Sequence, residues 1–107
     1  MSTASRSATK PQAAPKRATS FEPAVAKAFG AVIRAEREQR GIAQDQFSLL
    51  AHVDRSYYGK LERGERQPSL ALMLRIARAL GCSGAELLAE VEKALPRMKP
   101  GEADRKR

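Results

Sequence analysis

The sequence predicts an all-α domain of five short helices flanked by basic tails. Two observations carry this. Apolar residues from Pro23 onward recur at helical spacing, and glycine follows three of the periodic segments, at Gly41, Gly64 and Gly81, where helices commonly end. The connections that remain are short and leave no room for a sheet.

The first helix starts at Pro23. Val25, Ala28, Phe29, Val32 and Ile33 follow the i, i+3, i+4, i+7, i+8 pattern of one buried face. Arg37 lies four residues beyond Ile33 and eight beyond Phe29, so it extends that stripe and needs a partner inside the fold. A second helix starts at Gln44, with Phe47, Leu50 and Ala51 on one face. Asp54 is a good N-cap for a third, Arg55 to Arg63, in which Tyr58, Leu61 and Glu62 share one face and Ser56, Gly59, Lys60 and Arg63 the other. Pro68 and Ser69 start a strongly apolar fourth helix. Ser83 with Glu86 has the spacing of a capping box for a fifth, which runs to about Leu95 before Pro96.

Charge is unevenly placed. The chain of 107 residues carries a formal +8. Residues 1–20 hold Arg6, Lys10, Lys16 and Arg17 with no acid, and residues 96–107 hold five bases and two acids. Residues 21–95, with eleven bases and ten acids, are almost balanced. The first twenty residues contain no aromatic or branched aliphatic side chain, so nothing there offsets the entropy of ordering, and a disordered basic arm is expected. The division expected is therefore an arm at 1–20, one domain at 21–95 and a basic tail at 96–107. Such tails suit contact with a polyanion. The longest apolar run, Leu70 to Leu74, is far too short for a membrane span, and no hydrophobic signal region is seen, so a soluble protein without membrane contact is expected. A single cysteine, Cys82, excludes an internal disulfide.

The stretch from FGAVIRAEREQRG to GCSGAELL, residues 29–88, resembles the Cro/C1-type helix-turn-helix domain of the xenobiotic-response-element (XRE) class of bacterial and phage repressors. The resemblance rests on Gln44 opening the second helix, Glu62-Arg63-Gly64 closing the third, Pro68-Ser69-Leu70, and Ile76-Ala77-Arg78-Ala79-Leu80-Gly81, in that order. It implies a five-helix lambda-repressor-like fold and a cytoplasmic bacterial regulator of transcription, in the repressor role, found at the nucleoid when bound to DNA. It also implies that the third helix enters the major groove of double-stranded DNA. Arg55, Ser56 and Lys60 then match positions that reach base edges, with Tyr57 on the flank. Gln44, Arg63 and Arg66 match phosphate contacts, and Arg37 with Glu62 a buried ion pair joining the first helix to the third.

The sequence departs from that pattern at Ala43, where a capping Ser or Thr is common, at His52, where glycine is frequent, and at Phe47-Ser48, which replace Leu-Ala. An enzyme is not expected: no catalytic constellation, metal-spaced cluster or cofactor motif is present, and Cys82 suits a small apolar role. The competing reading is a protein-binding adaptor or an antitoxin using the same domain. A homodimer is expected, because one recognition helix reads too few base pairs to find a site in a genome. The candidate surfaces are the Leu87, Leu88, Val91, Ala94, Leu95 stripe of the fifth helix and, second, Leu72, placed with Ala71 and Ala79 on the polar side of the fourth.

Overall fold

Five helices form in the computed structural model, which describes residues 20–95. Helix α1 is Pro23–Gln39, and its proline at the first turn needs no N–H partner there. It ends where Gly41 takes a left-handed φ of +67°. Helix α2, Gln44–Leu50, follows Ala43, which supplies no side-chain cap. His52 in the next turn has φ +58°, a conformation more often given to glycine or asparagine. Helix α3 is Arg55–Glu62, with Arg63 as its C-cap, and the Asp54 carboxylate accepts from the Tyr57 N–H at 3.0 Å. Helix α4, Leu70–Leu80, is capped by Ser69, and α5, Gly84–Ala94, by the reciprocal Ser83 and Glu86 bonds of a capping box.

Helix α1 is the hub. It packs against both α3 and α5, while α2 packs on α3 and α4 on α5. Phe29 and Ile33 of α1, Phe47 of α2, Tyr58 and Leu61 of α3, Ile76 and Leu80 of α4, and Leu87 and Val91 of α5 meet in one core. The Phe47 and Tyr58 rings lie 5.3 Å apart, tilted by 50°, which locks α2 to α3. Gly30 makes the α1–α3 contact close: a Cβ there would collide with the carbonyl oxygens of Leu61 and Glu62.

Three expectations need correction. Leu50, expected on one face with Phe47 and Ala51, is exposed while those two are buried. Leu72 is buried, and the leucines that α4 leaves outside are Leu70 and Leu74. The reason is that Leu72, Ile76, Ala77 and Leu80 form the inward stripe of α4, while the leucine-rich first turn is apolar on every side. The α5 stripe is likewise divided: Leu87, Val91 and Leu95 are in the core, and Leu88 and Ala94 are exposed. Among the described residues no helix is long and apolar enough to cross a membrane. The arm before Ser20 and the tail from Pro96 lie outside the described residues.

Candidate nucleic-acid interface

The orientation of α3 is fixed from its C-terminal end. Glu62 points into the protein, where its Oε2 accepts from Arg37 Nε at 2.7 Å and its Oε1 from Arg37 Nη2 at 3.0 Å. Gln44 Nε2 donates to the same Oε1 at 2.8 Å, and Arg37 Nη1 donates to the Ile42 carbonyl at 2.8 Å. One carboxylate thus ties α1, the start of α2 and α3 together. Burial alone would push the Glu62 carboxyl upward, but the hydrogen bonds from Arg37 and Gln44, with the Tyr58 hydroxyl close by, more than offset it and hold the group below the usual glutamate range. The bond to Glu62 raises the Arg37 guanidinium in turn, so both charges persist at neutral pH.

Tyr58 brings its hydroxyl fully into the core beside this pair, without a well-formed hydrogen bond among the described residues. Burial first, and then the Glu62 carboxylate, push the phenol far above its ordinary range, so it stays neutral.

Gln44 was expected at a phosphate. Its side-chain nitrogen donates one N–H to Glu62 and ties α2 to α3, and the second N–H of the same amide is the donor left for an anion.

With Tyr58, Leu61 and Glu62 inward, Ser56 is exposed and Lys60 half-exposed on the opposite side, and Tyr57 lies half-buried on the flank against the core. Arg55 and Arg63 are exposed and are held by carboxylates. Arg55 Nε is 3.3 Å from Asp45 Oδ1 on α2, and Arg63 Nε is 2.8 Å from Glu65 Oε2. Their other ends converge. Arg55 Nη1 and Arg63 Nη1 both lie within 3.5 Å of the point where a Cβ on Gly59 would stand. Gly59 was expected on the outer surface and is buried, because Arg55, Arg63 and Gln44 come together over it. Arg66, in the loop after α3, is exposed and donates to the Glu65 carbonyl. Gly30 and Gly59 are the two residues whose importance the sequence reading missed or misplaced. The only available signal was a glycine interrupting a helical pattern.

Cys82 packs partly buried against the core, and burial, then the Glu86 carboxylate, push its thiol up. That is the environment of an inert thiol. Among the described residues no cluster of His, Cys, Asp and Glu could hold a metal ion.

Two helices joined by a short turn, the second with one buried face and one polar, partly basic face, define a helix-turn-helix domain. The helix-turn-helix family model matches residues 33–87, and the chain belongs to this family, in its Cro/C1 (XRE) class. Control protein C.MunI from a Mycoplasma species is 32% identical over 60 residues, which is 56% of this chain and 81% of that protein. The solved restriction-modification controller protein C.AhdI from Aeromonas hydrophila is 39% identical, with a TM-score of 0.56 over 58% of this chain and 94% of that one. The clp gene regulator ClgR from C. glutamicum is 31% identical, with a TM-score of 0.63 over 69% and 96%.

Proposed function

We propose that this protein is a sequence-specific regulator of transcription, a repressor that reads the major groove of double-stranded DNA with α3. The observation that carries the reading is the framing of α3: its inner face is pinned by the Arg37, Glu62 and Gln44 network, and its outer face offers Ser56 and Lys60 between two arginines. Eight helical residues span about 12 Å, comparable to the roughly 12 Å width of the groove.

Arg55, Ser56 and Lys60 take the base edges, with Tyr57 beside them. Arginine bonds guanine O6 and N7 together, serine adapts to either partner, and lysine supplies a cation to guanine or phosphate. Arg63, Arg66 and the Gln44 end of α2 set the register on the phosphates. Residues 21–95 form the reading domain, and the basic segments on either side add affinity without selectivity. The protein acts by binding and not by catalysis, needs no cofactor, and works in the bacterial cytoplasm.

The working unit is a homodimer on a two-fold symmetric site, with the two α3 helices about 34 Å apart in successive grooves. The surface that fits a second copy is made by Leu70, Leu74 and Leu88. Leu74 lies over Gly84, one turn before Leu88, so the three exposed leucines are continuous across α4 and α5. Arg75 and Arg78 on α4 and Glu92 on α5 form no ion pair among the described residues, which gives opposite charges for a self-complementary rim. Selection of duplexes from a random pool, followed by footprinting, tests the function. Enrichment of a palindrome is expected, and recovery of unrelated sequences with no protected site would refute it.

A further inference from the structure

Glycine in a helix interior is destabilising relative to alanine, and α3 has one at its midpoint. Gly59 does not have a left-handed φ, so its backbone makes no demand for glycine. Nor does α1, α4 or α5 press against it: the nearest foreign atoms at the site of a Cβ are Arg63 Nη1 at 3.2 Å, Arg55 Nη1 at 3.5 Å and Gln44 Oε1 at 3.8 Å. The crowding comes wholly from side chains of the candidate interface.

Each guanidinium is held by a carboxylate on one edge and lies over Gly59 with the other. The Nε edge of Arg55 faces Asp45, and the Nε and Nη2 edge of Arg63 faces Glu65, while the remaining Nη1 of each lies along the helix over Gly59. The arginines stand four residues before and four after the glycine, on one stripe of the helix. A methyl group between them would displace Arg63 Nη1 by a few tenths of an ångström and stand in contact with Arg55 Nη1. Arg63 would then have to lift from the helix, and Arg55 could no longer settle into the space over residue 59, which changes the angle of the two cations to a ligand on that face.

We propose that Gly59 is a positioning residue for DNA binding: the missing side chain lets Arg55 and Arg63 lie down against α3 in the directions from which they meet a base edge and a phosphodiester. Helix stability is given up for the direction of two cations. This inference rests on the DNA-binding reading above.

The test is Gly59→Ala in the full chain, read by melting and by binding to the duplex that the wild-type protein selects from a random pool. The melting temperature should rise by about 4 °C or more, as expected for roughly 1 kcal/mol in a domain of this size. Affinity for the selected duplex should fall about tenfold, the scale of one charge-assisted hydrogen bond. A variant that melts higher and binds equally well overturns the proposal. So does one that binds more weakly only because it melts lower.

The second arm places Gly59→Ala in an Arg55→Ala, Arg63→Ala background, measured at low salt where weak binding stays measurable. There it should have no further effect on affinity. A persisting tenfold loss would mean that the methyl group meets the DNA itself, and would overturn the role assigned through the arginines. Failure of the wild-type protein to bind any duplex would instead remove the DNA-binding reading, and Gly59 with it.

Discussion

Arg37 and Glu62 meet edge to edge, with two N–H groups of one guanidinium on the two oxygens of one carboxylate at 2.7 and 3.0 Å. The pair is buried, 25 residues apart in sequence, and shared by α1 and α3. Removing one partner strands the other charge away from water, and Gln44 loses its acceptor as well. Glu62→Ala should therefore destabilise the domain by about 3–5 kcal/mol. Glu90, whose bond to Lys93 is exposed, is the control, and Glu90→Ala should change stability by less than about 1 kcal/mol. Comparable melting temperatures for the two variants would contradict the role of the pair.

The same geometry sets an acid limit. The Glu62 carboxyl is lowered in the folded state relative to its ordinary value of 4.5, so between those two values the unfolded chain binds more protons. The pair stabilises fully above about pH 4.5, and its contribution is lost as pH falls through the folded value. Urea midpoints measured from pH 7 to pH 3 should drop steeply below about pH 4.5 in the wild type. Glu62→Gln should start lower and show a shallower drop. An identical pH profile for both would assign the acid sensitivity to other carboxylates.

Gly30→Ala should behave in the opposite way to Gly59→Ala. A methyl group at residue 30 meets backbone carbonyl oxygens of Leu61 and Glu62, which cannot swing aside as a side chain can. Overpacking of this kind costs about 1–3 kcal/mol and exceeds the helix-propensity gain. A lower melting temperature is expected. An unchanged or higher one would mean that α1 and α3 separate more easily than this contact implies.

Much of the fold was legible because its signals are local. Asp54 accepts from an N–H three residues on, Ser83 and Glu86 form a reciprocal capping box, and Gly41, Gly64 and Gly81 all adopt the positive φ that closes a helix. Arg37 could be read as needing a partner from its place on the apolar stripe, but only the family resemblance pointed to Glu62. What stayed hidden depended on the neighbouring helix. The Leu70 to Leu74 run is apolar on all sides, so periodicity could not tell Leu72 from its neighbours. Gly30 and Gly59 look alike as helix glycines, yet backbone crowds one and arginine side chains the other. The direction of the Gln44 amide was likewise invisible until Glu62 was placed beside it.

Arg55 and Arg63 should separate preference from affinity. Arg55→Ala should relax selection at one base position, with a loss of about 1–3 kcal/mol on the preferred duplex, while Arg63→Ala should weaken all duplexes alike and reduce the salt slope by about one. Competition binding against a set of single-base variants measures both. Unchanged relative affinities in both variants would mean that α3 does not read the bases.

The exposed leucines give the dimer its test. Leu70→Asp with Leu88→Asp should leave the melting temperature nearly unchanged, since both side chains are on the surface, and should yield monomers in sedimentation. Operator affinity should then fall steeply. A wild-type complex holding one protomer per saturated site would sink the dimer.

Gln67 fastens the start of the fold to the loop that follows α3: its Nε2 donates to the Ser20 carbonyl at 2.9 Å, and its Oε1 accepts from the Glu22 N–H at 2.8 Å. The polypeptide therefore enters the domain beside Arg66. In the language of tethers, the clasp fixes the point at which the chain joins the domain, next to the loop that leaves α3. Gln67→Ala would leave every charge on the protein and release only that junction.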